Sequence, residues 1–247
     1  MSKVYFVLPA YNEEENIRSV VKQWHAVVDE IVRREEDVDA RLVIANDGSK
    51  DQTFRIMQEL QAEYPLLVPL DKPNGGHGAT VLYLYRYAIA HGADWVFQTD
   101  SDGQTDPAEF WPMWEHRDDY DFQIGYRKGR QDGASRVFVT KTLRFVVWLM
   151  FGVWVTDANT PFRLMRSDKL QAIMDVIPED YFLCNVAISA IAVKWNYKIG
   201  WYRITFKPRQ GGVNSINLKR ICKIGWKALG DFRKINRNLK HYGRESQ

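Results

Sequence analysis

Asp100 and Asp102 stand two residues apart in the stretch Gln98 to Pro107, QTDSDGQTDP. The apolar run Trp95-Val96-Phe97 before it predicts a buried strand that opens into a turn, with a helix beginning at Pro107. Where the strand ends and Gly103 frees the backbone, both carboxylates reach one point. Two such groups make a hard, anionic oxygen site that suits Mg²⁺ or Mn²⁺ better than zinc. A cation held this way keeps positions open for phosphate oxygens, so a nucleotide diphosphate is its natural partner. The competing interpretation is a polar turn that merely caps the next helix.

The elements that must position these carboxylates follow from hydrophobic patterning. Val4 to Leu8 predicts a buried strand that stops at Pro9, then a loop through Tyr11 and Glu13. A helix follows with Ile17, Val20, Val21, Trp24, Val28 and Ile31 on one face. Leu42 to Ala45 predicts a second strand ending in Asn46-Asp47-Gly48-Ser49, with Ser49 or Asp51 capping a helix that runs to about Tyr64. Leu66 to Leu70 predicts a third strand, and the glycine-rich Asn74-Gly75-Gly76-His77-Gly78 precedes a helix over Ala79 to His91. Alternating strands and helices predict an α/β fold, a mostly parallel Rossmann-like sheet with helices on both faces. In such a sheet ligands collect where strands end, and Tyr11, Glu13, Asp47, Gly78, Asp100 and Asp102 all lie at or just past such ends. The glycine-rich loop is neither GxGxxG nor a Walker sequence, which argues against a P-loop kinase or ATPase.

The chain has 247 residues, 45% of them hydrophobic and 13% aromatic, ample for one large domain. Cys184 and Cys222 lack any ligand spacing, which points to a reducing, cytoplasmic compartment. No signal peptide is visible, and the longest apolar run, Phe145 to Val155, is 11 residues. Charge is divided unevenly: residues 1–121 carry a net charge of −12 and residues 122–247 one of +15. The first half suits a metal ion and the second suits anions.

PAYNEEENI at 9–17, NDGSKDQT at 46–53, NGGHGAT at 74–80 and DSDGQTDP at 100–107 together resemble family 2 glycosyltransferases of the GT-A fold. Within them the chain most resembles the polyprenol-phosphate sugar synthases, the dolichyl-phosphate mannosyltransferase-like group. The resemblance implies a nucleotide-sugar donor (UDP- or GDP-linked), Mg²⁺ or Mn²⁺ on Asp100 and Asp102, and inversion at the anomeric carbon. By position it also implies that Pro9, Tyr11, Glu13 and Gly78 contact the nucleotide-sugar, that Asp47 holds the base, and that Gln104 lies beside the diphosphate. Asn46 stands where an aspartate is common.

Further along, Gln123 to Tyr126 predicts a strand, followed by Arg127, Lys128, Arg130, Arg136 and Lys141. Five cations within 15 residues are either a solvated face or a polyanion site. GYRKGRQDGASR resembles the acceptor-side segment of the lipid-phosphate-using enzymes, which implies Arg127, Arg136 and Lys141 at an acceptor phosphate. DANTPFRL at 157–164 resembles the segment lining donor sugar and acceptor. There Asp157 is either a general base or a contact to a sugar hydroxyl, and Arg163 is either functional or its ion-pair partner. FKPRQGGVNS at 206–215 resembles a late loop that closes on phosphates, with Arg209 its best match.

Two stretches bear on membranes. Leu143 to Val155 is apolar with Trp148 and Trp154, and Ser215 to Ile235 patterns as a basic amphipathic helix that either rests on anionic lipid or packs on the sheet. The expected division is a glycosyltransferase domain over 1–212, donor half 1–106 and acceptor half 107–212, followed by a helix and tail over 213–247. The expected activity is sugar transfer to a polyprenyl phosphate; transfer to a hydroxyl acceptor is the alternative. A non-catalytic nucleotide- or nucleic-acid-binding module is the reading from another class, but nucleic-acid motifs are lacking.

Overall fold

The computed structural model describes residues 1–127, 144–179, 181–207 and 235. The first half alternates as expected: β1 (Ser2–Ala10), α1 (Ile17–Arg34), β2 (Val38–Asp47), α2 (Thr53–Gln61), β3 (Leu67–Lys72), α3 (His77–Ala90) and β4 (Trp95–Gln98). Then come α4 (Trp111–Glu115), β5 (Phe122–Arg127), helical residues 144–151 (α5), β6 (Arg163–Arg166), α6 (Ser167–Met174), α7 (Cys184–Lys194) and β7 (Ile199–Ile204). Among the described residues one sheet runs β3-β2-β1-β4-β6-β5-β7.

Strand alternation sorts the core onto two faces. Val4, Phe6 and Leu8 of β1 pack with α1 and α2 side chains such as Val21, Trp24 and Met57. Tyr5 and Val7 face α3 and α7 through Val81, Tyr85 and Ile188. The order reverses direction at β1, whose neighbours β2 and β4 both run parallel to it. The crevice beyond the carboxyl ends of β1 and β4 is therefore the switch point where such sheets bind ligands.

Three local differences from the sequence-based expectation have clear causes. Pro9 does not stop β1: it pairs with Ala45 of β2, while β4 is paired only as far as Val7↔Gln98. Pro9 O accepts from Ser101 Oγ (2.7 Å), so the missing amide proton faces the side where no strand remains to receive it. At Pro107 a 3₁₀ turn (Pro107–Phe110), capped by Asp106 accepting from Ala108 N, precedes the short α4. The sheet is mostly parallel as expected, with β6 running antiparallel to both β4 and β5. β6 begins at the last two residues of the DANTPFRL segment and continues through Met165 and Arg166, a strand that its charged ends conceal.

No helix among the described residues is long and apolar enough to cross a membrane. Ile235 is fully buried within the α3/α7 face of the core, so at that position the C-terminal segment packs on the protein.

Candidate active site at the sheet switch point

The loops after β1 and β2 are stitched to each other. Asn12, held at φ 53°, donates its amide to Ser49 Oγ (2.9 Å), and its Oδ1 accepts from Lys50 N (2.8 Å). Glu14 N reaches Asp51 Oδ2 (3.2 Å), and Gln52 N returns to Glu14 Oε2 (2.9 Å). Glu13 is buried: its amide donates to Thr53 Oγ1 (2.8 Å) and its carboxylate accepts from Asn16 Nδ2 (2.7 Å). The two motifs thus form one interlocked rim. Above it Tyr11 stands 44% exposed, an aromatic face open to a flat ligand.

Asp47 is the hub of the glycine-rich loop. Its carboxylate, nearly sealed from solvent, accepts from Lys72 Nζ (2.5 Å), Gly75 N (2.8 Å) and Gly76 N (2.9 Å), and its carbonyl accepts from Asn74 Nδ2 (2.8 Å). Burial alone would raise the Asp47 pKa. The bonds from Lys72, Gly75 and Thr80, with the Lys72 charge, outweigh it and hold the group below the usual carboxylate value. These bonds force Gly76 to φ +84°, where a side chain would be strained. Gly78 is glycine for a different reason: a Cβ there would sit 2.4 Å from the carbonyl oxygens of Tyr181 and Phe182. It brings α3 close to that backbone.

His77, the first residue of α3, escaped the sequence-based site list. Its Nε2 lies 3.1 Å from Asp100 Oδ1. Desolvation of the ring works to lower its pKa, but the bond to Asp100 and the charges of Asp100, Asp102 and Asp47 prevail and raise it. One imidazole thus feels three carboxylates delivered by two strand ends, Asp47 from β2 and Asp100 with Asp102 from β4. The signal was present, since His77 is the only ionisable side chain within the NGGHGAT motif. The turn bearing the acidic pair is fixed by Ser101 Oγ to Pro9 O, by Thr99 Oγ1 with Thr105 Oγ1 (2.9 Å), and by Gln104 N to Asp102 Oδ1 (3.1 Å), with Gly103 at φ +71°. Two partly exposed carboxylates on a pinned turn are hard oxygen donors that fit Mg²⁺ or Mn²⁺. No group of three His, Cys, Asp or Glu that could hold a metal is present among the described residues. The chain would therefore leave further positions to ligand oxygens and water.

On the other side of the crevice, Arg127 grips Asp157 through both guanidinium edges, Nε to Oδ2 at 2.8 Å and Nη2 to Oδ1 at 2.9 Å, with both side chains largely buried. Asp157 therefore pairs with Arg127 rather than with Arg163. Arg163 is fully buried and donates to Thr160 O, Asn185 O and Ser189 Oγ. Arg136, Lys141, Arg209 and Cys222 lie outside the described residues.

Residues 5–178 match the Glycosyl transferase family 2 model. The chain is a family 2 glycosyltransferase. The enzyme is 27% identical over 219 residues to UDP-N-acetylglucosamine--dolichyl-phosphate N-acetylglucosaminyltransferase of Methanococcus voltae, covering 80% of this chain and 82% of that one. It is 23% identical over 230 residues to polyprenol monophosphomannose synthase of Mycolicibacterium smegmatis, covering 90% and 83%. Among solved structures it is similar to glucosyl-3-phosphoglycerate synthase of Mycobacterium tuberculosis in complex with Mn²⁺, UDP-glucose and glycerol 3-phosphate, with a TM-score of 0.59 and 18% identity over 96% of this chain and 79% of that one. The GT-A architecture implied by the motifs is thus the observed one, and a non-catalytic binding module falls away.

Proposed function

We propose that the enzyme transfers a sugar, with inversion, from a UDP- or GDP-sugar to a polyprenyl phosphate at a membrane surface. The observation that carries this reading is the bidentate grip of Arg127 on Asp157. A carboxylate so neutralised is a poor proton acceptor, which weighs against a hydroxyl acceptor that must be deprotonated. A phosphate needs no base, because it is already ionised at neutral pH. Dolichyl phosphate and polyprenol in the names of the two relatives support the same acceptor class.

In this scheme an acceptor phosphate oxygen attacks the anomeric carbon while the bond from that carbon to the donor diphosphate breaks, and the nucleoside diphosphate leaves. Asp100 and Asp102 would hold the Mg²⁺ or Mn²⁺, which when bound supplies neutralisation of the leaving group's charge. Tyr11 walls the base, while Pro9 and Glu13 support that wall from the interlocked rim. Asp47 and Gly78 act on the nucleotide through the glycine-rich loop they shape. Gln104 sits beside the diphosphate, and Arg127 with Arg136, Lys141 and Arg209 offsets the repulsion between two phosphate-bearing substrates. Residues 1–212 then form the catalytic domain, with the donor held by 1–106 and the acceptor by 107–212, and 213–247 an added helix and tail.

The acceptor's membrane is met by α5 and the residues after it. Phe145, Trp148, Leu149 and Trp154 are all exposed, and the Trp148 and Trp154 rings stack with centroids 5.8 Å apart. Trp154 lies three residues before Asp157, which puts this apolar surface next to the acceptor side. Replacing both tryptophans by serine is expected to weaken partitioning onto anionic vesicles by about tenfold or more. Co-sedimentation measures this, and undiminished binding would remove α5 from the membrane contact. The reading as a whole is tested by offering UDP- and GDP-sugars with a short polyprenyl phosphate. Conversion that stops when the divalent cation is chelated supports it, and donor hydrolysis without transfer contradicts it.

A further inference from the structure

We propose that Thr205-Phe206-Lys207, the segment leaving β7, is a strap that positions both sides of the reaction crevice at once. It rests on the donor and acceptor sides proposed above, and it gives Gln104 a role beyond lying beside the diphosphate.

The segment pairs with the turn after Asp102 almost as a strand would. Thr205 N donates to both carboxylate oxygens of Glu109 (2.8 and 2.9 Å). Lys207 N donates to Gln104 O (2.7 Å), and Gln104 Nε2 donates back to Lys207 O (2.7 Å). Lys207 Nζ adds an ion pair with Asp106 Oδ2 at 3.0 Å, which helps hold the Asp106 carboxyl below its usual range. Three residues, Gln104, Asp106 and Glu109, are thereby tied to the two end residues of the strap, Thr205 and Lys207. Because Gln104 N also donates to Asp102 Oδ1, the tie ends one hydrogen bond from a carboxylate assigned to the metal.

The other edge of the strap faces the acceptor side. Ile204, its last strand residue, is in register with Arg127 of β5. The Phe206 ring lies under the Arg127 guanidinium, with the guanidinium carbon 5.1 Å from the ring centroid. That guanidinium is the one that forks onto Asp157. A ring on one face and a carboxylate at the edge leave Arg127 little freedom to rotate. The segment is thus common to the donor-side turn and the acceptor-side arginine. Phe206 and Lys207 are positioning residues, acting through Arg127 and through Gln104 with Asp106.

A strap differs from two unrelated local contacts in that damage at one end is felt at the other. The test uses the full chain with Phe206→Leu, Phe206→Tyr, Lys207→Met and the Phe206→Leu/Lys207→Met double variant. Mn²⁺ affinity is read by electron paramagnetic resonance with UDP or GDP present, Arg127 by its Nε–H resonance, and the acceptor by KM against kcat. Lys207→Met is expected to weaken Mn²⁺ about threefold, in keeping with an exposed pair, and also to shift the Arg127 resonance. Phe206→Leu is expected to raise acceptor KM about fivefold, more than it lowers kcat, to move the Arg127 resonance out of the ring's shielding, and to weaken Mn²⁺ about twofold. Phe206→Tyr should restore all three readouts, which a general loss of packing would not allow. The double variant should fall short of the product of the singles, as for coupled neighbours.

Effects confined to each variant's own end, multiplying in the double variant, overturn the strap. So does Phe206→Leu with an unmoved Arg127 resonance. If the wild-type enzyme binds Mn²⁺ but does not glycosylate a polyprenyl phosphate, the functional reading fails. The strap is then decided by the Mn²⁺ and Arg127 readouts alone.

Discussion

Asp102→Ala is expected to lower sugar transfer by about 10³-fold, or ~4 kcal/mol of transition-state stabilisation. Asp102 sits on a turn that Ser101, Thr99 and Thr105 pin to the end of β1 and to itself, so losing its carboxylate should not move the turn far. The pair Asp100 and Asp102 would lose half its oxygen donors, and the described residues contain no third ligand group to compensate. Direct Mn²⁺ binding should fall in parallel, while the melting temperature changes little because the side chain is partly exposed. Asp102→Asn keeps the shape and the acceptor for Gln104 N, and should be nearly as inactive, since the charge is what the cation requires. Transfer within tenfold of wild type in either variant would remove Asp102 from the chemistry.

Arg163→Met is expected to destabilise the fold by about 3 kcal/mol, lowering the melting temperature by roughly 6–12 °C for a chain of this size. The Arg163 side chain is fully buried, and its described bonds run to carbonyls and a hydroxyl rather than to a carboxylate. Burial pushes its pKa down, and the Tyr85, Cys184 and Asp157 groups only partly offset this. What the guanidinium supplies is a fork: Nε and Nη2 both reach Thr160 O (3.1 and 2.5 Å), and Nη1 reaches Asn185 O (3.2 Å). It therefore ties the turn after Asp157 to α7. Ser189 helps by donating to Ala158 O (3.2 Å). Methionine fills the space and leaves Thr160 O unpaired. Lysine keeps a charge but not the fork, and should fall between the two. Thermal unfolding measures this, and a methionine variant as stable as wild type would show that the buried cation is dispensable.

The end proposed to hold the donor was largely legible in the sequence because its signals are local. Strands of three to five apolar residues each ended in a polar motif, and the parallel order then brought Tyr11, Asp47 and Asp100 to one edge without any knowledge of pairing. The end proposed to hold the acceptor was less legible because its contacts span long separations. Arg127 meets Asp157 across 30 residues, and Gln104 meets Lys207 across 103. Neither pairing leaves a periodic trace. Arg163 illustrates the limit: a charged residue in a four-residue strand reads as surface or site, yet its fork is consumed by backbone carbonyls in the core. Asp47 shows a subtler one. The motif marked it as important, but only the structure shows that its carboxylate is engaged by Lys72, Gly75 and Gly76.

The most direct measurement follows phosphorus. With a UDP- or GDP-sugar, Mg²⁺ or Mn²⁺ and a short polyprenyl phosphate, ³¹P NMR should show the acceptor's phosphomonoester signal giving way to a phosphodiester as nucleoside diphosphate accumulates. A monoester signal that persists while sugar appears on a hydroxyl, or as free sugar, would contradict phosphate as the nucleophile.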